Sequence, residues 1–220
     1  MTDPAAAASA DEKQPTRWGD TEQRRIDILD AARSLIEERG YLALSMRTLA
    51  ADAGVSPATL YSYFATKEEL FATLHAQAIR TYTMDFRSLL DDEPGLESLL
   101  GGLVELYVEL YRSYGRHYDT WSMSRQDPDA APSIAREVLL ELRRAAVDHN
   151  AVQMPAVAAA AARDGRRIRD PEVAPSLLWA FLSGIADHVI TDRGDLDRYN
   201  QERFLTGAVD GLVAALTEPI

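Results

Sequence analysis

Apolar residues recur at helical rather than strand spacing along nearly the whole chain. From Asp20 on, Ile26, Leu29, Ala32, Leu35 and Ile36 gather on one side of a helix, with Arg24, Arg25, Asp27, Glu37 and Glu38 turned away. Gly40 ends this segment, since glycine tolerates the left-handed conformation that a helix stop favours. Three helix starts follow between residues 45 and 66. Ser45 can cap one, with Leu44 and Leu49 as a hydrophobic staple across it. Ser56 repeats the device, with Pro57 in the first helical position and Val55 and Leu60 as the staple. Thr66 opens the third, and Glu69 stands where a capping box needs a carboxylate. The spacing predicts short helices joined by tight turns.

Longer helices are predicted beyond. One runs from Thr66 to about Leu90 and stops at Asp91-Asp92-Glu93-Pro94-Gly95. A second covers about 96–118, and Asp127-Pro128-Asp129 breaks the pattern. A third extends from near Pro132 to about Arg163, with Pro155 expected to kink or split it. Asp170 and Pro171 introduce a helix to about Ile190, and a last one covers about Leu196–Leu216. No run alternates as a strand does, and no internal repeat is present. The fold class is all-α. Residues 1–18 carry no period and read as a disordered tail. Residues 19–66 form a small head, and residues 67–220 form a helical body.

Composition sets limits on function. Hydrophobic residues make up 46% and charged residues 26%, as in ordinary soluble globular proteins. With no cysteine there is no disulfide, thiolate metal site or cysteine nucleophile. The N-terminal residues lack the apolar run of a signal peptide, and no stretch is long and apolar enough for a membrane span. A cytoplasmic protein without membrane contact is expected. The net charge of −12 argues at first against nucleic acid as a partner. Residues 17–80 carry only −1 of it, however, and residues 81–220 carry −9. A near-neutral head can bind phosphate if its cations share one face.

The segment from Leu49 to Tyr61 has the chemistry of a helix-turn-helix. Ala50 is small where two helices cross, Gly54 supplies the turn, and Leu49, Val55, Leu60 and Phe64 supply the buried side. With Leu60 inward, Pro57 and Phe64 share its side while Ala58 and Ser62 point outward, flanked by Thr59 and Tyr61. That outer face is small and hydrogen-bonding, suited to a major groove. Thr59 is assigned to base edges and Tyr61 to a backbone phosphate. Arg47 can reach a base or phosphate, and Lys67 is a phosphate clamp at the start of the next helix. A plain three-helix packing unit with polar outer faces is the competing reading.

Residues 24–71, with Arg47-Thr48-Leu49-Ala50-Ala51-Asp52-Ala53-Gly54-Val55-Ser56-Pro57-Ala58-Thr59-Leu60-Tyr61-Ser62-Tyr63-Phe64 and Lys67-Glu68-Glu69-Leu70, resemble the N-terminal domain of tetracycline-repressor (TetR) family regulators. The resemblance implies a homodimer on a palindromic operator in double-stranded DNA, usually repressing, and released by a small ligand in the C-terminal domain. It also implies that Arg47, Thr59, Tyr61, Tyr63 and Lys67 touch DNA, although many members carry His where Tyr63 stands. The DNA-binding set expected is Ser45, Arg47, Ser56, Ala58, Thr59, Tyr61, Ser62, Tyr63 and Lys67.

In the body, the last two helices are apolar around much of their circumference. Phe181, Ile185, Phe204, Gly207, Ala208, Gly211, Leu212 and Ala215 are expected at a four-helix dimer interface, against ordinary packing within one chain. Tyr107, Tyr111, Tyr114 and Tyr118 repeat at helical spacing, followed by Trp121. Such a stripe is either core or the wall of a ligand cavity. The expected pocket for a small apolar or aromatic effector is Tyr107, Tyr111, Tyr114, Trp121 and Trp179, with His188 as a polar contact. Arg163, Arg166, Arg167 and Arg169 read as a solvated charge run, with a phosphate-bearing effector as the alternative. No cofactor, metal set or enzymatic constellation is legible. A helical interaction or scaffold protein retaining the head fold is the alternative function.

Overall fold

The computed structural model describes residues 17–114, 134–191 and 198–220. Trp121, the Asp127-Pro128-Asp129 break and the tail residues 1–16 lie outside the described residues. Eight α-helices are present among those described: α1 (Arg17–Arg39), α2 (Met46–Asp52), α3 (Pro57–Tyr63), α4 (Lys67–Ser88), α5 (Leu96–Tyr114), α6 (Arg136–Arg163), α7 (Ala174–Ile190) and α8 (Arg198–Leu216). A 3-10 turn, Tyr41–Ala43, joins α1 to α2. Helices α1 to α3 form the head. In the body α4 lies along α6, and α5 packs against α7 and α8. No helix among the described residues is long and apolar enough to cross a membrane.

The three predicted caps are all made. Ser45 Oγ accepts from the Thr48 amide at 3.1 Å, and Thr48 Oγ1 accepts from the Ser45 amide at 3.2 Å, closing a reciprocal box. Ser56 Oγ accepts from the Thr59 amide at 3.0 Å, and Thr66 Oγ1 from the Glu69 amide at 3.0 Å. The Glu69 carboxylate closes on Ala65, one residue before the cap, at 3.2 Å. These bonds satisfy amides that a helix start leaves without partners.

Several expectations need correction. Ile26 is 41% exposed, and Ile28 takes its place in the core beside Leu29, Ala32, Leu35 and Ile36. Pro57 is exposed rather than sharing the inner face with Leu60, since it stands at the first position of a short helix whose buried residue is Leu60. Pro155 does not split α6, which is one helix from Arg136 to Arg163.

The chain also contains an unforeseen strand pair, β1 (Arg166–Ile168) and β2 (Thr217–Pro219), antiparallel with Arg167 opposite Glu218. Here the arginine cluster has a structural use. Arg166 Nε donates to Thr217 Oγ1 at 2.7 Å, and Arg167 pairs with Glu218 at 2.7 Å. Arg169 lies 3.7 Å from the same carboxylate and donates to the Thr217 carbonyl. Arg163 donates to the Pro94 carbonyl, while Asp164 accepts from the Leu96 amide at 2.7 Å and so caps α5. The cluster braces the ends of α6, α5 and α8, while Arg163, Arg167 and Arg169 stay exposed as the solvated run expected.

Gly54, between α2 and α3, has φ 65° and open space around its absent Cβ. Its requirement is therefore backbone conformation alone. Gly101, in the middle of α5, also has open space, with ordinary helical geometry. Gly54→Ala is expected to lower stability by about 1–2 kcal/mol. Gly101→Ala should raise it by up to about 1 kcal/mol. Urea denaturation of the two variants checks the opposite signs.

Candidate nucleic-acid interface

Helix α3 is held by its inner face. Leu60 is fully buried and Phe64 nearly so, in one cluster with Leu49 of α2 and Ile28, Leu29 and Ala32 of α1. The Val55 amide donates to the Ala50 carbonyl at 2.9 Å, fixing the turn that sets the angle between α2 and α3. On the outside, Ala58 and Ser62 are exposed, Tyr61 is 53% exposed, and Thr59 and Tyr63 are half-buried. Arg47, Ser45 and Ser56 are exposed beside them. Of the residues expected to face DNA, Ser45, Arg47, Ser56, Ala58, Tyr61 and Ser62 are exposed, and Thr59, Tyr63 and Lys67 are half-buried.

The hydrogen bonds narrow what each hydroxyl can do. Ser62 Oγ donates its proton to the Thr59 carbonyl at 2.6 Å, so only its lone pairs remain for a partner's donor. The Thr59 and Ser56 hydroxyls lie 2.8 Å apart and share a proton between them. The Thr59 methyl and the Tyr61 phenol are the less encumbered groups of this face.

Lys67 is more enclosed than a simple surface clamp. Its Nζ donates to the Tyr41 carbonyl at 2.9 Å and sits 4.0 Å from the centre of the Tyr41 ring. Burial lowers its pKa below the usual lysine value, with Glu68 opposing. An ammonium has three donors, so two stay available to a phosphate while the third ties the 3-10 turn to α4. Tyr41 is a residue that sequence reasoning missed. Arg25 is another, with its guanidinium 5.4 Å from the centre of the Phe64 ring, bracing from outside the anchor that Leu60 holds from within.

In the body the tyrosine stripe is buried. Tyr107, Tyr111 and Tyr114 belong to the core, and the Tyr107 and Tyr111 rings lie 6.4 Å apart and close to parallel. The Tyr107 hydroxyl and Ser183 Oγ are 3.0 Å apart. Burial raises the Tyr114 pKa, opposed by the charge and hydrogen bond of Arg33. A cavity of about 80 Å³ lies between α4, α5, α6 and α7, with Tyr107 and Trp179 in its wall. His188 is not brought to this cavity. It packs tilted against Phe204, 4.5 Å between ring centres, in an open groove of about 570 Å³ between α7 and α8. Phe181, Ile185, Phe204, Gly207, Ala208 and Gly211 line that groove as well. Leu212, expected at the dimer interface, is fully buried in the core of its own chain, and Ala215 is half-buried. Among the described residues no group of His, Asp and Glu could hold a metal ion.

Residues 28–74, the head and the first turns of α4, match the model of the bacterial regulatory proteins of the tetR family. The HTH-type transcriptional regulator UidR of Escherichia coli (strain K12) is 26% identical over 120 residues. That match takes in 54% of this chain and 57% of UidR, little more than half of either. Among solved structures, a protein of unknown function from Rhodococcus sp. RHA1 aligns with a TM-score of 0.68 at 22% identity. It covers 94% of this chain and 100% of that one. The transcriptional regulator FadR from Bacillus subtilis, in complex with stearoyl-CoA, aligns with a TM-score of 0.58 at 18% identity, covering 87% and 98%. The class that fold and face define is a helix-turn-helix head on an all-helical body. Through that head, residues 28–74, the chain is similar to the tetR family of bacterial regulatory proteins.

The anchoring of α3 has a direct consequence. Leu60→Ala removes a fully buried side chain and is expected to cost about 2–5 kcal/mol. Tyr61→Ala, one position along but on the outer face, should stay within about 0.5 kcal/mol of the parent. Thermal denaturation of the two variants checks the contrast.

Proposed function

We propose that this chain is a DNA-binding transcriptional regulator acting as a homodimeric repressor on a palindromic operator. The observation that carries the reading is the accessible face of α3, with Ala58, Tyr61 and Ser62 outward while Leu60 and Phe64 are locked behind them. A short helix bare of long side chains on one side can enter a major groove. In this reading Thr59 and Arg47 meet base edges, Tyr61, Tyr63 and Lys67 meet the backbone, and the exposed N-terminal turns at Ser45 and Ser56 lie against phosphates.

The open groove between α7 and α8 supports pairing of two chains. It is floored by Gly184, Gly207 and Ala208 and flanked by Phe181 and Phe204, so a second copy could bring its own two helices close. A two-fold dimer sets two copies of α3 on one duplex side, and a spacing of about 34–36 Å would fit successive major grooves. A small-molecule effector in the body that binds the two dimer shapes unequally would release the operator. FadR, solved with stearoyl-CoA, supports an effector site in this fold. The cavity walled by Tyr107 and Trp179 is far below the roughly 300 Å³ of a typical ligand pocket, so an effector held there must either be small or widen it.

Selection from a random duplex pool, followed by gel shift across a salt series, tests the reading. A specific complex with a steep salt slope is expected. Lys67→Ala should weaken binding across all sequences, and Thr59→Ala should change discrimination among operators by about 1–3 kcal/mol. No sequence-specific complex at any salt concentration would leave the head as an interaction module and reject the proposal.

A further inference from the structure

The cavity between α4, α5, α6 and α7 carries an unusual lining. Ile79, Leu182 and Tyr107 supply apolar wall, but Gln153 and Trp179 bring polar groups, and among the described residues the Trp179 indole finds no acceptor. Gln153 is 92% buried by virtue of its 8% exposure, and its carboxamide makes no hydrogen bond among the described residues. The Trp179 indole Nε1–H is buried and likewise has no acceptor. Leaving the buried indole N–H unpaired costs stability that a well-packed core avoids.

The neighbouring histidine is fixed. Thr83 Oγ1 donates its only proton to the Ile79 carbonyl at 2.7 Å, and the same oxygen lies 3.1 Å from His149 Nδ1. The imidazole must therefore be the donor there, which places a proton on Nδ1. The ring is held further by Tyr82, 5.0 Å between centres. No Asp, Glu, Lys or Arg lines the cavity. A formally charged group would enter without a counter-ion, at a large desolvation cost. A wholly apolar group would leave the Gln153 amide and the Trp179 N–H unpaired.

We infer that this cavity binds the neutral, planar polar head of the effector, an amide-like group with a carbonyl acceptor beside an N–H donor. The carbonyl accepts from Trp179 Nε1 or from the Gln153 amide nitrogen, and the N–H donates to Gln153 Oε1. The volume of about 80 Å³ suits such a head rather than a whole drug-sized molecule. Asn150 and Pro175, both exposed, line the same cavity at the surface between α6 and α7. An aromatic or alkyl remainder leaves through that side. The inference rests on the effector reading above, and it names the chemistry of the effector.

Four probes of nearly one shape separate the alternatives: benzamide, benzoate, benzylamine and toluene, titrated calorimetrically into the full chain. Benzamide is expected to bind about tenfold or more tightly than each of the others. Gln153→Met, which keeps volume and removes the amide, should abolish that preference, and Trp179→Phe should reduce it. Circular dichroism of both variants establishes that they fold. Preference for toluene, for either charged probe, or for none overturns the inference. So does a benzamide preference that survives Gln153→Met, or a benzamide-soaked crystal with only ordered water at Gln153. Operator binding by the ligand-free protein is measured separately. Lost DNA binding with intact amide selectivity would sink the regulator reading and leave the site, and the converse would sink the site alone.

Discussion

The head depends on burying the back of one seven-residue helix. Alone, a helix as short as α3 would not persist in water, because its nucleation cost exceeds what two turns of hydrogen bonds return. Leu60 and Phe64 supply the missing stability by entering the core built by Leu49 and the inner stripe of α1. The Ser56 cap and the left-handed Gly54 then fix where the helix begins and how it leaves α2. Only with both in place can the opposite side be left bare, and a bare side is what a groove-reading element requires. Arg25 over the Phe64 ring adds an outer brace to the same anchor.

The head is not mechanically separate from the body. Lys67 ties the Tyr41 turn to the start of α4, the Tyr41 ring sits 4.4 Å from that of Phe71, and Phe71 meets Tyr114 of α5 at 6.2 Å. Tyr114 in turn meets Arg33 of α1. A continuous packed row therefore joins the Tyr41 turn and the start of α4 to the helices around the body cavity. Such a row gives a physical route by which a change in α4 or α5 reaches the head.

What could be read from sequence follows the range of each interaction. The caps at Ser45, Ser56 and Thr66 bond within three residues, so their signals are local and all three were legible. Helix extents followed from long apolar periodicity. The β1–β2 pair was not legible, since three-residue strands carry no period and their pairing joins segments far apart in the chain. Ile26 and Pro57 were misplaced because a hundred-degree wheel fixes relative faces, while the packing partner decides which face is buried. The tyrosine stripe announced burial but not its company, since Tyr107 meets Ser183 across 76 positions. Gln153 gave no signal at all. In an alanine-rich run it looks like a surface residue, and only the tertiary structure turns it inward.

The central claim, that α3 presents its outer side to base pairs, can be tested on a chain with no native cysteine. Ala58→Cys places a unique thiol on the exposed face, and Val147→Cys places one on the exposed side of α6 as a control. The measurement is the rate of maleimide alkylation with and without the selected duplex. Strong protection at position 58 with an unchanged rate at position 147 is the result predicted. Equal rates at position 58 with the duplex bound would contradict the account.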